Sequence, residues 1–359
     1  MPEDRRRPTL DTLAAEVGVS RATVSNAYNR PDQLSEQLRE RILRAAERLG
    51  YAGPDPVARS LATQRCGAVA VLTDTNLSTA FSDPALSITL DALSSAMDSE
   101  DHALLLLAGS AEGGPSPERV RRAQADVLVA YSLADDTPAM RAVAARGLPV
   151  VVIDSPMLAG AAMVGIDDRG GANLAAQHLL DHGHRRFAIL ADEIQPDQYR
   201  GPADAGRLAK IGYRVSAERF HGYRSALDAA GIGEVRTWEA GGIDATLGAR
   251  GARWLLDQDP PPTALLCMTD HLAVGAAQAA AELGIQVPEE LSIVGFDDSW
   301  LATQVAPRLT TIRQDLAAKG RTAGELAQRL LAGHQAGPPV QLPTELIIRE
   351  SSGPAPHAQ

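Results

Sequence analysis

Thr9-Leu10-Asp11-Thr12-Leu13-Ala14-Ala15-Glu16-Val17-Gly18-Val19-Ser20-Arg21-Ala22-Thr23-Val24-Ser25-Asn26-Ala27-Tyr28-Asn29 is the stretch from which the rest of the chain becomes readable. Leu10, Leu13, Ala14 and Val17 recur at helical spacing until Gly18 breaks the pattern. Ser20 is a good N-cap for a second short helix, with Ala22, Val24 and Ala27 as its small apolar positions. After the turn-like run Asn29-Arg30-Pro31-Asp32, Ser35 can cap a third helix. Its apolar residues Leu38, Ile42, Ala45, Ala46 and Leu49 step by three or four, and Gly50 ends it. Three short helices with a glycine-containing turn between the first two describe a helix-turn-helix. Its second helix then presents Arg21, Ala22, Ser25, Asn26 and Asn29 on one side, groups able to reach base edges and phosphates. Periodicity alone is equally consistent with a three-helix packing module that meets no nucleic acid.

The literal residues decide between those readings. The stretch above, with Leu34-Ser35, Arg39-Glu40-Arg41-Ile42, Leu49-Gly50-Tyr51 and Pro54-Asp55-Pro56-Val57-Ala58-Arg59-Ser60-Leu61, closely resembles the headpiece of the LacI/GalR family of bacterial transcription regulators. By that resemblance the second helix is the recognition helix, with Arg21 and Ala22 choosing bases. Thr23, Ser25, Asn29 and Ser35 fall where the family grips phosphate, and Leu10, Ser20 and Asn26 belong to the same DNA-binding set. Two positions depart from the family: Asn26 stands where Arg is usual, and Tyr28 where Leu or Val is usual. Asn favours adenine edges where Arg favours guanine, so the family's usual operators are not implied.

The resemblance divides the chain into a headpiece (1–53), a hinge helix or linker (54–65), a body (66–350) and a flexible tail (351–359). Asp55 can cap the hinge and Pro56 suits a first helical position. A helix of about seven residues is far below the ~12–15 at which isolated helices become marginal, so it orders only against a partner. The family's partners are the same helix of a second subunit and the DNA minor groove. Leu61 matches the wedge that unstacks the central base step, and Val57 and Ala58 match positions packing at the helix pair and groove floor. Read without that context, 54–65 is an ordinary linker.

From Gly67 onward short Val/Ile/Leu runs alternate with Ala-rich helical stretches. Val69–Leu72, Ala103–Leu107, Val127–Ala130, Val150–Ile153, Phe187–Leu190, Ala264–Met268 and Ser292–Phe296 read as buried parallel strands. The expected fold class is therefore an all-α headpiece followed by a two-lobed α/β body with doubly wound parallel sheets, like periplasmic binding proteins. Its lobes would comprise approximately 66–165 with 313–342, and 166–312 with 343–350. Ligands of such sheets bind beyond the strands' C-terminal ends. Asp154, Arg219 and Asp297 align with the family's effector contacts, and two acceptors with a planar donor fork suit the vicinal hydroxyls of a sugar or nucleoside. Taken singly, each is an ordinary candidate for a surface ion pair. Thr269 sits where the family often has Asn or Ser. A stacking aromatic used by some members is Ile243 here, leaving Phe81 or Trp300 as possible replacements or as plain packing groups. The stretch 194–218, longer than usual for the family, is either a lid over the effector or a loose surface loop.

Composition sets the outer bounds. With about 150 residues per domain as a guide, 359 residues make two or three domains. The net charge of −11 conceals asymmetry: residues 1–65 carry 11 Arg against 9 acidic groups, so the remainder carries −13. Of 34 basic residues only Lys210 and Lys319 are lysines. Cys66 and Cys267 lie 201 positions apart, which excludes a disulfide scaffold. No stretch nears the ~18 uninterrupted apolar residues of a membrane span, and Met1–Arg7 is no secretory signal, so a cytoplasmic protein without membrane contact is expected. His178, His182 and His184 lack a carboxylate or Cys to complete a metal site, no catalytic constellation is recognisable, and no cofactor is called for. The reading is thus a ligand-responsive regulator, most simply a repressor of carbohydrate or nucleoside metabolism genes, not an enzyme. It would bind palindromic double-stranded operator DNA as a homodimer and answer to a small-molecule effector. The alternative is the solute-binding protein of a sugar transporter.

Overall fold

A computed structural model describes residues 8–53, 65–98, 102–109 and 113–356, which form two compact units meeting at Cys66/Gly67. In the first unit, α1 (Leu10–Val17), α2 (Arg21–Asn29) and α3 (Glu36–Leu49) enclose Leu13, Ala14, Val24, Ala27, Ile42, Ala45 and Ala46. Each start is fixed by a hydroxyl: Thr9, Ser20 and Ser35 accept from the backbone N–H of Thr12, Thr23 and Leu38. Such caps are worth about 1 kcal/mol each. Gly18, at φ +72°, ends α1 in a left-handed turn that a side chain resists, and so sets the α1–α2 corner. The hinge candidates Val57, Ala58 and Leu61 lie outside the described residues.

The second unit is built on two sheets. The first comprises β1 (Ala68–Leu72), β2 (Ala103–Leu107), β3 (Val127–Tyr131), β4 (Val150–Ile153), β5 (Ala162–Ile166) and β12 (Val340–Leu342), in the order β12-β5-β4-β3-β1-β2. The second comprises β6 (Phe187–Ala191), β7 (Gly201–Pro202), β8 (Arg236–Glu239), β9 (Ala264–Cys267), β10 (Ser292–Asp297), β11 (Thr310–Gln314) and β13 (Thr344–Ile347), in the order β13-β11-β10-β9-β6-β8-β7. Pairing is parallel except where β13 meets β11 and β7 meets β8. Helices cover both faces, giving each lobe an apolar layer on either side of its sheet. The backbone crosses between lobes three times: after β5, after β11, and between β12 and β13.

Two expectations need correction. Ala103–Leu107 is an edge strand, not a buried one; with a neighbour on one side only, Ala103 and Leu105 face solvent. The expected loose tail is anchored over 351–355. Ser351 is fully buried, its hydroxyl donating to Ile293 O (2.6 Å) and accepting from Thr310 N–H (2.8 Å), and Ala355 N–H reaches His182 O. The cause is polar satisfaction, since the ends of β10 and β11 leave backbone groups that the tail completes.

Candidate functional site

On the first unit, Arg21, Ala22 and Asn29 are exposed along α2, with Thr23, Ser25 and Asn26 half-buried, while Val24 and Ala27 are spent on the core. Leu10 is half-buried against that core, so its side chain packs as well as facing outward. Several of these groups are held by neighbours. Ser20 Oγ lies 2.8 Å from Thr23 Oγ1, Asn29 Nδ2 donates to Ser25 Oγ (3.1 Å), and Asn26 Nδ2 donates to Gln33 Oε1 (3.3 Å). Among the described residues, Arg21 has only a loose, exposed ion pair with Asp11 at 3.7 Å, which water screens and a stronger acceptor can displace. Ser35, exposed, caps α3 with its hydroxyl. The result is a row of short polar groups held by mutual hydrogen bonds, with the exposed Arg21 guanidinium at its start.

In the second unit a cavity of about 460 Å³ opens between the lobes at the C-terminal ends of the strands. That is within the range of small-molecule sites. Asp154, Arg219, Thr269 and Asp297 all line it. Asp154 follows β4 at φ +63° and Asp297 ends β10 at φ +116°, conformations that cost about 1–3 kcal/mol each and that aim both carboxylates across the strand ends. Arg219, on the helix Arg214–Ala229, is 5% exposed. Its Nε donates to Asp168 Oδ1 (2.8 Å), its Nη1 donates to Met268 O and lies 3.6 Å from Asp297 Oδ1, and its guanidinium sits 3.7 Å above the Phe296 ring. Burial pushes both Asp168 and Asp297 above the ordinary carboxylate range, with Arg219 opposing the shift. Thr269 caps the helix Asp270–Glu282, accepting from Leu272 N–H, and its hydroxyl proton remains to be donated.

Phe81 and Trp300 are a correction: neither lines the cavity. Phe81, 68% exposed, is on the outer side of the helix Leu77–Ser82, whose Ala80 faces inward, and Trp300, 49% exposed, stands at the start of the short helix Leu301–Gln304. Ile243 does line it. The stretch 194–218 is an ordered strap. Ile194 N–H donates to the buried Glu239, Arg207 grips Glu239 and both oxygens of Asp197, Gly201–Pro202 pairs with β8, and Gly212 O accepts from Asp135 N–H of the other lobe. Gln198, Arg200, Tyr213 and Ser216 bring it to the cavity wall.

Further lining groups were not singled out from the sequence. Asp74 follows β1, Asp192 and Glu193 follow β6, Tyr131 ends β3 and Gln314 ends β11. The signal in the sequence that marks them is position: Asp74, Asp192 and Glu193 each come shortly after an apolar run, as Asp154 and Asp297 do. Burial raises the carboxyls of Asp74 to about 7 and Glu193 to about 8, with neighbouring carboxylates adding to both. The histidines make protein contacts instead: His184 bridges Thr263 and Ser292 hydroxyls at 3.0 Å, His178 meets Ser352 Oγ at 2.8 Å, and His182 Nδ1 lies 2.8 Å from His178 O.

Comparison with known proteins covers both units. Residues 9–53 match the profile described as bacterial regulatory proteins, lacI family, and residues 176–352 match that of the periplasmic binding protein-like domain. The chain is 41% identical over 360 residues to an HTH-type transcriptional regulator of Mycobacterium tuberculosis, covering 98% of this chain and 99% of the relative. The transcriptional regulator CelR in its cellobiose complex superposes with a TM-score of 0.68 at 27% identity, covering 96% and 100% of the two chains. The lac repressor dimer bound to operator and an anti-inducer superposes at 0.77 and 24% identity, over 97% and 100%, a likeness of fold. None of these is described as an enzyme or a transport protein.

Proposed function

The chain belongs to the lacI family of bacterial regulatory proteins, and from that membership we propose the particular contacts by which this transcriptional regulator reads DNA and senses its effector. Arg21 and Ala22 read base edges in the major groove, with Asn26 favouring adenine; Thr23, Ser25, Asn29 and Ser35 hold phosphates, and Leu10 and Ser20 support them. Two headpieces from a homodimer engage the halves of a palindromic operator, and Val57, Ala58 and Leu61 order there as a paired minor-groove wedge.

The effector is a neutral polyhydroxyl compound, a sugar or nucleoside, and a cavity walled by Asp154, Asp297 and Arg219 is the observation that carries this reading. Carboxylates accept from hydroxyls and a buried guanidinium donates to them, a pattern an apolar ligand would leave unsatisfied. CelR, similar to this chain, is described in complex with a sugar. The effector acts by favouring one arrangement of the lobes, an effect bounded by its differential affinity for the two arrangements. The proposed output is repression. Footprinting on the DNA upstream of the chain's own gene should show a symmetric protected site, and Leu61→Ala should weaken it. Protection of one half-site only, or unchanged affinity in Leu61→Ala, contradicts the paired-hinge reading. Isothermal titration with a panel of sugars and nucleosides tests the cavity; a ligand whose binding survives Arg219→Met and Asp297→Asn lies elsewhere.

A further inference from the structure

Lys319 is the one buried lysine of a chain that otherwise uses arginine almost throughout: of 34 basic residues, only it and the exposed Lys210 are lysines. It sits on the helix Leu316–Leu331 with 1% exposure. The next residue explains how it reaches that depth. A Cβ on Gly320 would fall 2.2 Å from Thr89 O, so glycine there lets this helix close onto the helix Pro84–Asp98. Lys319 Nζ lies 2.8 Å from Asp154 Oδ1, donates to Asp154 Oδ2 at 2.9 Å, and donates to Gln314 Oε1. Gln314 Nε2 in turn donates to Asp297 Oδ1 at 2.7 Å, and Asp297 faces Arg219, which holds Asp168.

This is an unbroken polar chain, Asp154–Lys319–Gln314–Asp297–Arg219–Asp168. Asp154 and Lys319 belong to the first lobe; Gln314, Asp297, Arg219 and Asp168 belong to the second. Asp168 follows the first crossover and Gln314 precedes the second, so this series of hydrogen bonds and ion pairs spans two of the three connections about which the lobes can turn. A compact ammonium with three donors can serve a carboxylate and an amide oxygen in so confined a place, whereas a planar guanidinium needs more room and a fixed direction.

We propose that Lys319 is a hinge brace: by joining Asp154 of one lobe to Gln314 and Asp297 of the other, it sets the angle between the lobes and the aim of both carboxylates into the cavity. It is a positioning residue and needs no contact with the effector. Removing the ammonium leaves Asp154 buried and without a countercharge, and opening the lobes to admit water is the available relief. Removing both charges abolishes that drive.

The full-length protein tests this with no ligand or DNA, so its outcome is independent of the effector reading. Spin labels at Arg122→Cys and Arg250→Cys, exposed positions on the first and second lobes, report interlobe distance by double electron–electron resonance, in a Cys66→Ser background diluted with unlabelled protein. The parent should give one narrow distance. Lys319→Met, and separately Asp154→Asn, should each add a longer-distance population at least fivefold above the parent's. Lys319→Met with Asp154→Asn should remove most of that population, a rescue that a side chain serving only to fill space would not show. An unchanged distribution in both single variants, or a double variant as broad as Lys319→Met, overturns the proposal.

Discussion

Replacing Arg219 with methionine removes a guanidinium that is buried against two carboxylates, Asp168 at 2.8 Å and Asp297 at 3.6 Å, and a backbone carbonyl. Methionine fills much of the same volume, so the loss is electrostatic. Breaking a buried pair from one side costs about 3–5 kcal/mol, because the abandoned charge stays desolvated. At about 1.4 kcal/mol per decade this is roughly a hundredfold to several-thousandfold in the folded/unfolded ratio. The cost has a pH signature. Asp168 and Asp297 are already raised by burial, and without Arg219 opposing it their folded-state values rise further above the unfolded one. A group with a raised folded pKa contributes stability that is present at low pH and lost as pH rises through that value. The deficit of Arg219→Met should therefore be larger at pH 8.5 than at pH 5.5. Urea unfolding of the full chain at both pH values measures it, and adding Asp168→Asn with Asp297→Asn should recover most of the loss. A deficit below about 1 kcal/mol, or one equal at the two pH values, refutes the reasoning.

Three further outcomes follow from the same structure. Arg21→Ala should cost about 1–3 kcal/mol of operator affinity and flatten base preference at one operator position, whereas Ser35→Ala should weaken all sequences alike; competition binding on a randomised operator library separates the two effects. Unliganded protein should lose stability as pH rises from 6.5 to 8.5, since Asp74 near 7 and Glu193 near 8 are raised above their unfolded values. Asp74→Asn should flatten that slope in pH-dependent denaturation. His178, lowered by burial to about 4, acts in the opposite sense and only between about 4 and 6.5, outside that window. Ending the chain after Glu350 should lower the melting temperature by several degrees, because it unpairs the buried backbone that Ser351 serves; no change in the scan would show that segment to be dispensable.

What could be read from the sequence and what could not have physical causes. The headpiece helices were legible because their boundaries are local chemistry: hydroxyl caps at Thr9, Ser20 and Ser35, left-handed glycines at 18 and 50, and a 3.6-residue apolar period between them. Strands β1, β3, β4, β6, β9 and β10 were legible because burial on both faces demands uninterrupted apolar runs. Thr310–Gln314 does not read as a strand from the sequence, because Thr311 and Gln314 are satisfied by Asp270 and Asp297, which are remote in sequence. The edge position of β2 was invisible for a related reason: no local residue records which neighbour is missing. In the site, Asp154 and Asp297 are legible through the family resemblance, which their position after an apolar run supports. Lys319 carries no such signal because it lies inside a helix, and only its rarity in an arginine-rich chain marks it.

Fluorescence anisotropy of labelled DNA from upstream of the chain's own gene, titrated with full-length protein with and without the sugars and nucleosides that prove to bind the cavity, tests the central claim most directly. The account predicts affinity at least about a thousandfold above that for scrambled DNA at equal salt, and a shift in that affinity when a cavity ligand is added. Equal affinity for both DNAs, or operator binding indifferent to a ligand that demonstrably fills the cavity, would contradict it.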